Sequence, residues 1–297
     1  MLANFHTHSS FCDGKNSPEQ IVLAAIEKGF SAIGFSGHGY TAFDLRYCMK
    51  DTGGYISEIN RLKKKYARDI NIYLGVEEDS FQPVDRKQFD YVIGSSHYFR
   101  INGEYFPIDS SHEHFKKCLD MFSYDILQLA QVYYESFCNY IKVRRPDIIG
   151  HFDVITKFDE LSESLFLKND EYNRIAERYM VEAAKSGCVF EVNTGAIARN
   201  FRSRPYPMEN LLYILKKEDS HILLSSDSHS IETLDFAFDQ TKQYLYDIGF
   251  RYICVLTDEG FVKYSIKYGA SKWSIFTDAE VTSAGTIVFF RRAIGIG

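Results

Sequence analysis

Several features that would assign this chain to an easy class are missing. Long apolar runs are absent. The run nearest the end, Ile287 to Phe290, is far too short to cross a bilayer, which takes about 20 residues. The opening Met-Leu-Ala-Asn-Phe-His has neither a basic stretch nor a following apolar one, so no secretory leader is expected. Six cysteines stand at 12, 48, 118, 138, 188 and 254, and no two form a C-x-x-C pair. That argues against a zinc ribbon or a redox motif. Scattered thiols without a leader are expected to be reduced, in a soluble cytoplasmic protein. Positive charge is not in excess: 34 Lys and Arg face 40 Asp and Glu, for a net charge of -6. A generic nucleic-acid binder would carry the opposite balance. No glycine fingerprint for a dinucleotide follows any candidate strand. Internal repeats, low-complexity stretches and obvious linkers are also lacking.

What is present is a regular alternation. The 297 residues are 45% hydrophobic, enough for a large core. Aromatics are plentiful, 24 Phe and 21 Tyr, and read as core and pocket lining. Short Val-, Ile- and Phe-rich runs predict buried parallel strands at 2–5, 32–35, 70–75, 91–94, 147–149, 188–192 and 222–224. Helical patterns fall between them, at 18–28, 55–68, 111–143, 171–186, 208–218 and 231–248. Ser17-Pro18-Glu19-Gln20 has the order of an N-cap, an N1 proline and a capping-box Gln. Gly29 and Gly187 stand where helices should end. Seven or so βα units in one domain predict a closed or nearly closed α/β barrel, with a doubly wound open sheet as the alternative. A further strand is expected at 252–256. The segment from about Ser271 to Gly297 fits no barrel unit.

Nearly every candidate strand ends in His, Asp or Glu. The first runs into His6-Thr7-His8, with Asp13 in the next loop. The second runs into Gly37-His38 and the third into Val76-Glu77. The fourth and fifth run into Ser96-His97 and Gly150-His151, and the seventh into Asp227-Ser228-His229. In a parallel barrel these ends share one face, where active sites lie. Imidazole and carboxylate together suit Zn, Mn or Fe. Nine such groups exceed the needs of one four-coordinate ion and suffice for two or three. Without cations between them the carboxylates would repel one another. His112 and His114, at a helix entry, and His221, ahead of its strand, are not expected among the ligands.

This series resembles the PHP family of metal-dependent phosphoesterases, over roughly residues 1–265. The likeness rests on Phe5-His6-Thr7-His8, Asp13-Gly14, Gly37-His38-Gly39, Gly75-Val76-Glu77, Ser96-His97, Gly150-His151-Phe152-Asp153, Glu191-Val192-Asn193-Thr194-Gly195 and Ser226-Asp227-Ser228-His229. The resemblance implies a distorted (β/α)7 TIM-like barrel in a single domain, 1–265, followed by a C-terminal extension, 266–297. It implies two or three divalent ions. One would take His6, His8, Glu77 and Asp227. A second would share Glu77 and add His97 and His151. A third would take Asp13, His38 and His229; many relatives have His where Asp13 stands.

Within the family, the Glu-Val-Asn-Thr-Gly stretch followed by Arg199 is similar to the branch that hydrolyses L-histidinol phosphate in histidine biosynthesis. That branch implies attack on phosphorus by a hydroxide bridging two ions. Catalytic roles are expected for Asp13, His38 and Asp227. Arg199, whose fork matches phosphate, is expected to contact substrate, and Asn193 either to contact it or to hold its own loop. Asp44, Glu78 and Asp153 are candidates to face the ammonium and imidazole of histidinol, with Tyr40 or Phe43 packing on the ring. The expected partner is a small phosphorylated substrate, not a nucleic acid or a membrane. The alternatives are another phosphoesterase of the family, a nucleotide phosphatase or nuclease, and a non-catalytic barrel kept for binding.

Overall fold

A computed structural model describes residues 1–161 and 164–266, with the backbone of two short paired strands at 279–281 and 287–289. Otherwise the expected C-terminal extension lies outside the described residues.

In chain order the elements are β1 (Ala3–Asn4), α1 (Pro18–Glu27), β2 (Ala32–Phe35), α2 (Thr52–Lys65), β3 (Asn71–Asp79), β4 (Tyr91–Ser95), β5 (Tyr98–Ile101), β6 (Glu104–Pro107), α3 (His112–Met121), α4 (Ile126–Arg144), β7 (Ile148–Ile149), α5 (Asp170–Ala184), β8 (Val189–Asn193), α6 (Gly195–Ala198), α7 (Glu209–Lys217), β9 (Ile222–Ser225), α8 (Phe238–Ile248), β10 (Tyr252–Thr257) and β11 (Gly260–Ser265).

Seven strands form one parallel sheet in the order β1-β2-β3-β4-β7-β8-β9. The sheet closes beyond its formal ends: Thr7 bridges to Ser228, with His8 N donating to Ser228 O at 2.8 Å and Ser228 N to His6 O at 3.1 Å. The result is a seven-stranded α/β barrel, joined edge to edge at the C-terminal face. At the other end the β10–β11 hairpin stops the bore. Cys254, Val255 and Leu256 pack there with Phe5, Tyr73, Tyr91 and Leu223.

Local chemistry explains the layout. Ser17 caps α1 and completes the capping box with Gln20, as the sequence predicts. The Tyr91 ring crosses the bore, and its hydroxyl donates to Phe5 O at 2.6 Å. A Cβ on Gly34 would come within 2.3 Å of that hydroxyl, and one on Gly75 within 2.2 Å of the ring. Glycine at both positions is what admits the tyrosine.

Two expected helices are broken. The segment 111–143 is α3 and α4, separated at Ser123 and Tyr124, whose φ angles of 52° and 61° are left-handed. Asp125 then caps α4 by accepting from Leu127 N and Gln128 N. The segment 231–248 begins as an isolated 3-10 turn, Ile231–Thr233. It restarts after Ala237, with φ 57°, as α8. The antiparallel β5–β6 hairpin was not expected. It turns on Asn102-Gly103, both at positive φ.

Candidate metal centre and substrate cavity

The C-terminal ends of the strands bring all nine expected ligands together. Glu77, fully buried at the end of β3, is the hub. His6 Nε2 lies 3.3 Å from its Oε2, and His38 Nδ1 2.9 Å from the same oxygen. His97 Nε2 and His151 Nε2 lie 3.3 Å and 3.1 Å from Oε1. His8 Nε2 is 3.1 Å from Asp227 Oδ1 and 3.6 Å from Glu77 Oε2. Asp13 gathers the outer side: His8 Nδ1 at 3.5 Å, His38 Nε2 at 3.7 Å and His229 Nε2 at 3.2 Å.

Three sets of donor atoms are each close enough to hold an ion: His8, Asp13, His38 and His229; His6, His8 and Glu77; His38, Glu77 and His97. His6 Nε2, His8 Nε2 and Glu77 Oε2 are buried and make no well-aligned hydrogen bond among the described residues, although charged atoms lie close by. Groups this polar are not left so in a finished core. Their orphaned atoms face one another, which is what divalent ions with N and O ligands require.

Electrostatics agree. Burial pulls the His6 imidazole down, yet Glu191, Glu77 and Asp227 outweigh it and raise it to about 10. Burial likewise opposes charge on His8, but Asp13 and Asp227 hold it well above the ordinary value. Burial would push Glu77 up, but His6, His38 and His97 keep it far below the carboxylate range. Asp227 is depressed against burial by Arg199 and His6. Without ions, protons on imidazole balance these carboxylates, and metal binding must release them.

Outer carboxylates hold the candidate ligands. Asp79, two residues beyond Glu77 on the same face of β3, accepts from His97 N at 3.1 Å and lies 3.3 Å from its Nδ1. Glu191 lies 2.5 Å from His6 Nδ1 and accepts from His151 N at 2.8 Å. The sequence reading missed both roles, although the period of two along β3 and β8 points them inward.

The site opens into a cavity of about 580 Å³, lined by Lys15, Asp44, Arg46, Tyr47, Tyr98, Asp109, Lys157, Arg199, Phe201 and Tyr206 beside Asp13, His38, Glu77, His97, His151, Asp227 and His229. Arg199 donates to Asp227 Oδ2 at 2.8 Å and reaches the cavity, as expected.

Asn193 does not reach the cavity. It is fully buried, donating to Glu191 Oε2 at 3.1 Å and accepting from Gly195 N at 2.7 Å, so its amide is spent on the loop. Glu78 is also withdrawn: alternation along β3 turns it away from Glu77, onto Arg144 at 2.6 Å and Tyr140 at 2.8 Å. Asp153 is fully buried against Arg202 at 3.3 Å and Met208 N at 3.0 Å. Asp44 stays at the cavity, bound to Arg46 and to Tyr98 at 2.8 Å. Phe43 stacks on Tyr105 at 3.7 Å, and Tyr40 is exposed. His114 Nδ1 sits 2.7 Å from Ser110 Oγ, and His221 precedes β9, at the far end of the barrel.

A family model for the PHP domain matches residues 4–195. The chain belongs to the PHP family. A Schizosaccharomyces pombe protein named as a probable histidinol-phosphatase is 28% identical over 279 residues, covering 86% of this chain and 90% of that one. The Bacillus subtilis histidinol-phosphatase is 23% identical over 259 residues, covering 79% and 96%. Among solved structures, histidinol phosphate phosphatase from Lactococcus lactis, complexed with zinc, L-histidinol and phosphate, superimposes with a TM-score of 0.63. It is 20% identical and covers 88% of this chain and 98% of its own. That likeness bears on the fold, and it makes this PHP chain's barrel the same architecture. No helix among the described residues is long and apolar enough to cross a membrane.

Proposed function

We propose that this PHP protein is a phosphomonoesterase that converts L-histidinol phosphate to L-histidinol and phosphate. The observation that carries the reading is the set of orphaned ligand atoms converging on Glu77 at the floor of a cavity whose walls carry Lys15, Lys157 and Arg199 among Asp44 and Asp109. The names of its relatives support the substrate.

Two or three divalent ions are assigned to His6, His8, Glu77 and Asp227; to Glu77, His97 and His151; and to Asp13, His38 and His229. Zn, Mn or Fe would suit these donors. When bound, they would supply positive charge to the phosphoryl oxygens and acidify water. The chain's own groups do the rest. Arg199, anchored by Asp227, presents its guanidinium to the phosphate. Asp227, held between Arg199 and His8, keeps a charged carboxylate at the reacting centre. Asp13 and His38 lie at the cavity edge, where a proton can pass to solvent. Asp44 can face the substrate ammonium, and Tyr47, Tyr98 and Phe201 enclose its ring.

The test is a panel of esters given to zinc- or manganese-loaded protein: histidinol phosphate, an aryl phosphate, nucleotides and oligonucleotides. Phosphate release chiefly from the first is expected. Preference for oligonucleotides would overturn the assignment.

A further inference from the structure

Glu191 does something that no cavity contact explains. Its side chain is wholly buried on β8, yet four donors converge on it. Oε1 faces His6 Nδ1 at 2.5 Å and accepts from Ser225 Oγ. Oε2 accepts from His151 N at 2.8 Å and Asn193 Nδ2 at 3.1 Å. An amide fits poorly, because its NH2 would meet either the N–H groups of His151 and Asn193 or the His6 ring nitrogen. The position therefore favours a carboxylate, whose charge faces His6 with His151 beside it.

The two histidines it joins flank Glu77 from different strands. With Nδ1 engaged by Glu191, the Nε2 of His6 is left facing Glu77 and Asp227. The backbone of His151 is fixed while its Nε2 faces the other oxygen of Glu77. His38 and His229 gather instead on Asp13 and are oriented there.

We propose that Glu191 is a positioning residue shared by two ion positions: it orients His6 through its ring and His151 through its backbone, and so controls retention of the ions around Glu77 but not of the ion at Asp13. Outer carboxylates of this kind are worth roughly 10- to 100-fold in metal affinity. The proposal rests on the metal reading of the site, not on the identity of the substrate.

The test compares wild type with Glu191→Gln after zinc loading and dialysis, by elemental analysis and by anomalous diffraction at the zinc edge. Zinc around Glu77 is expected to fall, with affinity there weakened roughly 10- to 100-fold, while the Asp13 position stays filled. Equal loss at every position, or no loss, overturns the proposal. Should Glu191→Gln fail to fold, Ser225→Ala removes one donor and keeps the charge; a smaller loss confined to the same positions is expected, and full retention there overturns it. Wild type that takes up no zinc overturns both this proposal and the metal reading. Wild type that takes up zinc but ignores histidinol phosphate overturns only the substrate reading.

Discussion

At the scale of single residues, Glu77 carries the heaviest load, because four imidazoles meet its two oxygens within 3.3 Å. Glu77→Gln keeps the shape and removes the charge. It should lower bound metal per chain and reduce turnover by roughly 100-fold or more, since each lost factor of ten is about 1.4 kcal/mol of transition-state stabilisation. Unchanged metal content by elemental analysis would contradict the assignment. His6 supplies a pH test. Its imidazole is raised from 6.5 to about 10 in the metal-free fold, so the stability it contributes is full below 6.5 and lost as pH climbs towards 10. Metal-free protein should therefore melt earlier at pH 9 than at pH 7, and zinc should bind more tightly as pH rises. Both are measurable by calorimetry. Histidine and carboxylate at strand ends were legible in the sequence because ligands must converge on one face. Asn193 stayed open between two roles because a loop amide that faces a ligand and one that holds its own turn look alike in one dimension.

At the scale of elements, each piece depends on a few local contacts. Asp125 caps the helix that restarts after the left-handed Ser123–Tyr124 turn, so Asp125→Ala should cost about 1 kcal/mol by denaturant titration, with metal content unchanged. Strands and helix types could be read from period and propensity. The break at Ser123–Tyr124 could not, since neither residue is a glycine or proline and the pattern of apolar positions runs straight through it. The β5–β6 hairpin was different: Asn102-Gly103 is a strong turn signal, hidden by a short, half-exposed ribbon. That ribbon supplies Tyr98 and Pro107 to the cavity wall and leads into Asp109, so much of the substrate side of the site was unreadable beforehand. Alternation along β3, by contrast, was available to separate Glu77 and Asp79 from Glu78.

At the scale of the molecule, ligands from both extremes of the described barrel share one cluster: His6 and His8 from the first strand, Asp227 and His229 after the last. Anything that binds only the folded state raises its stability by mass action, about 2.7 kcal/mol at a hundredfold excess over Kd. Chelation should therefore lower the midpoint of thermal unfolding, and zinc should restore it. Equal midpoints with and without chelator would mean that the cluster does not bind metal.

The seam between Thr7 and Ser228 joins the two segments that carry His6, His8, Asp227 and His229. It works as a clasp that ions held by these side chains would fasten. A ribosome must release more than two hundred residues before the clasp can meet its catch, so capture of ions there would come late in the life of the nascent chain. Once shut, the backbone amides of His8 and Ser228 should exchange with deuterium slowly, and quicken together when the ions are withdrawn.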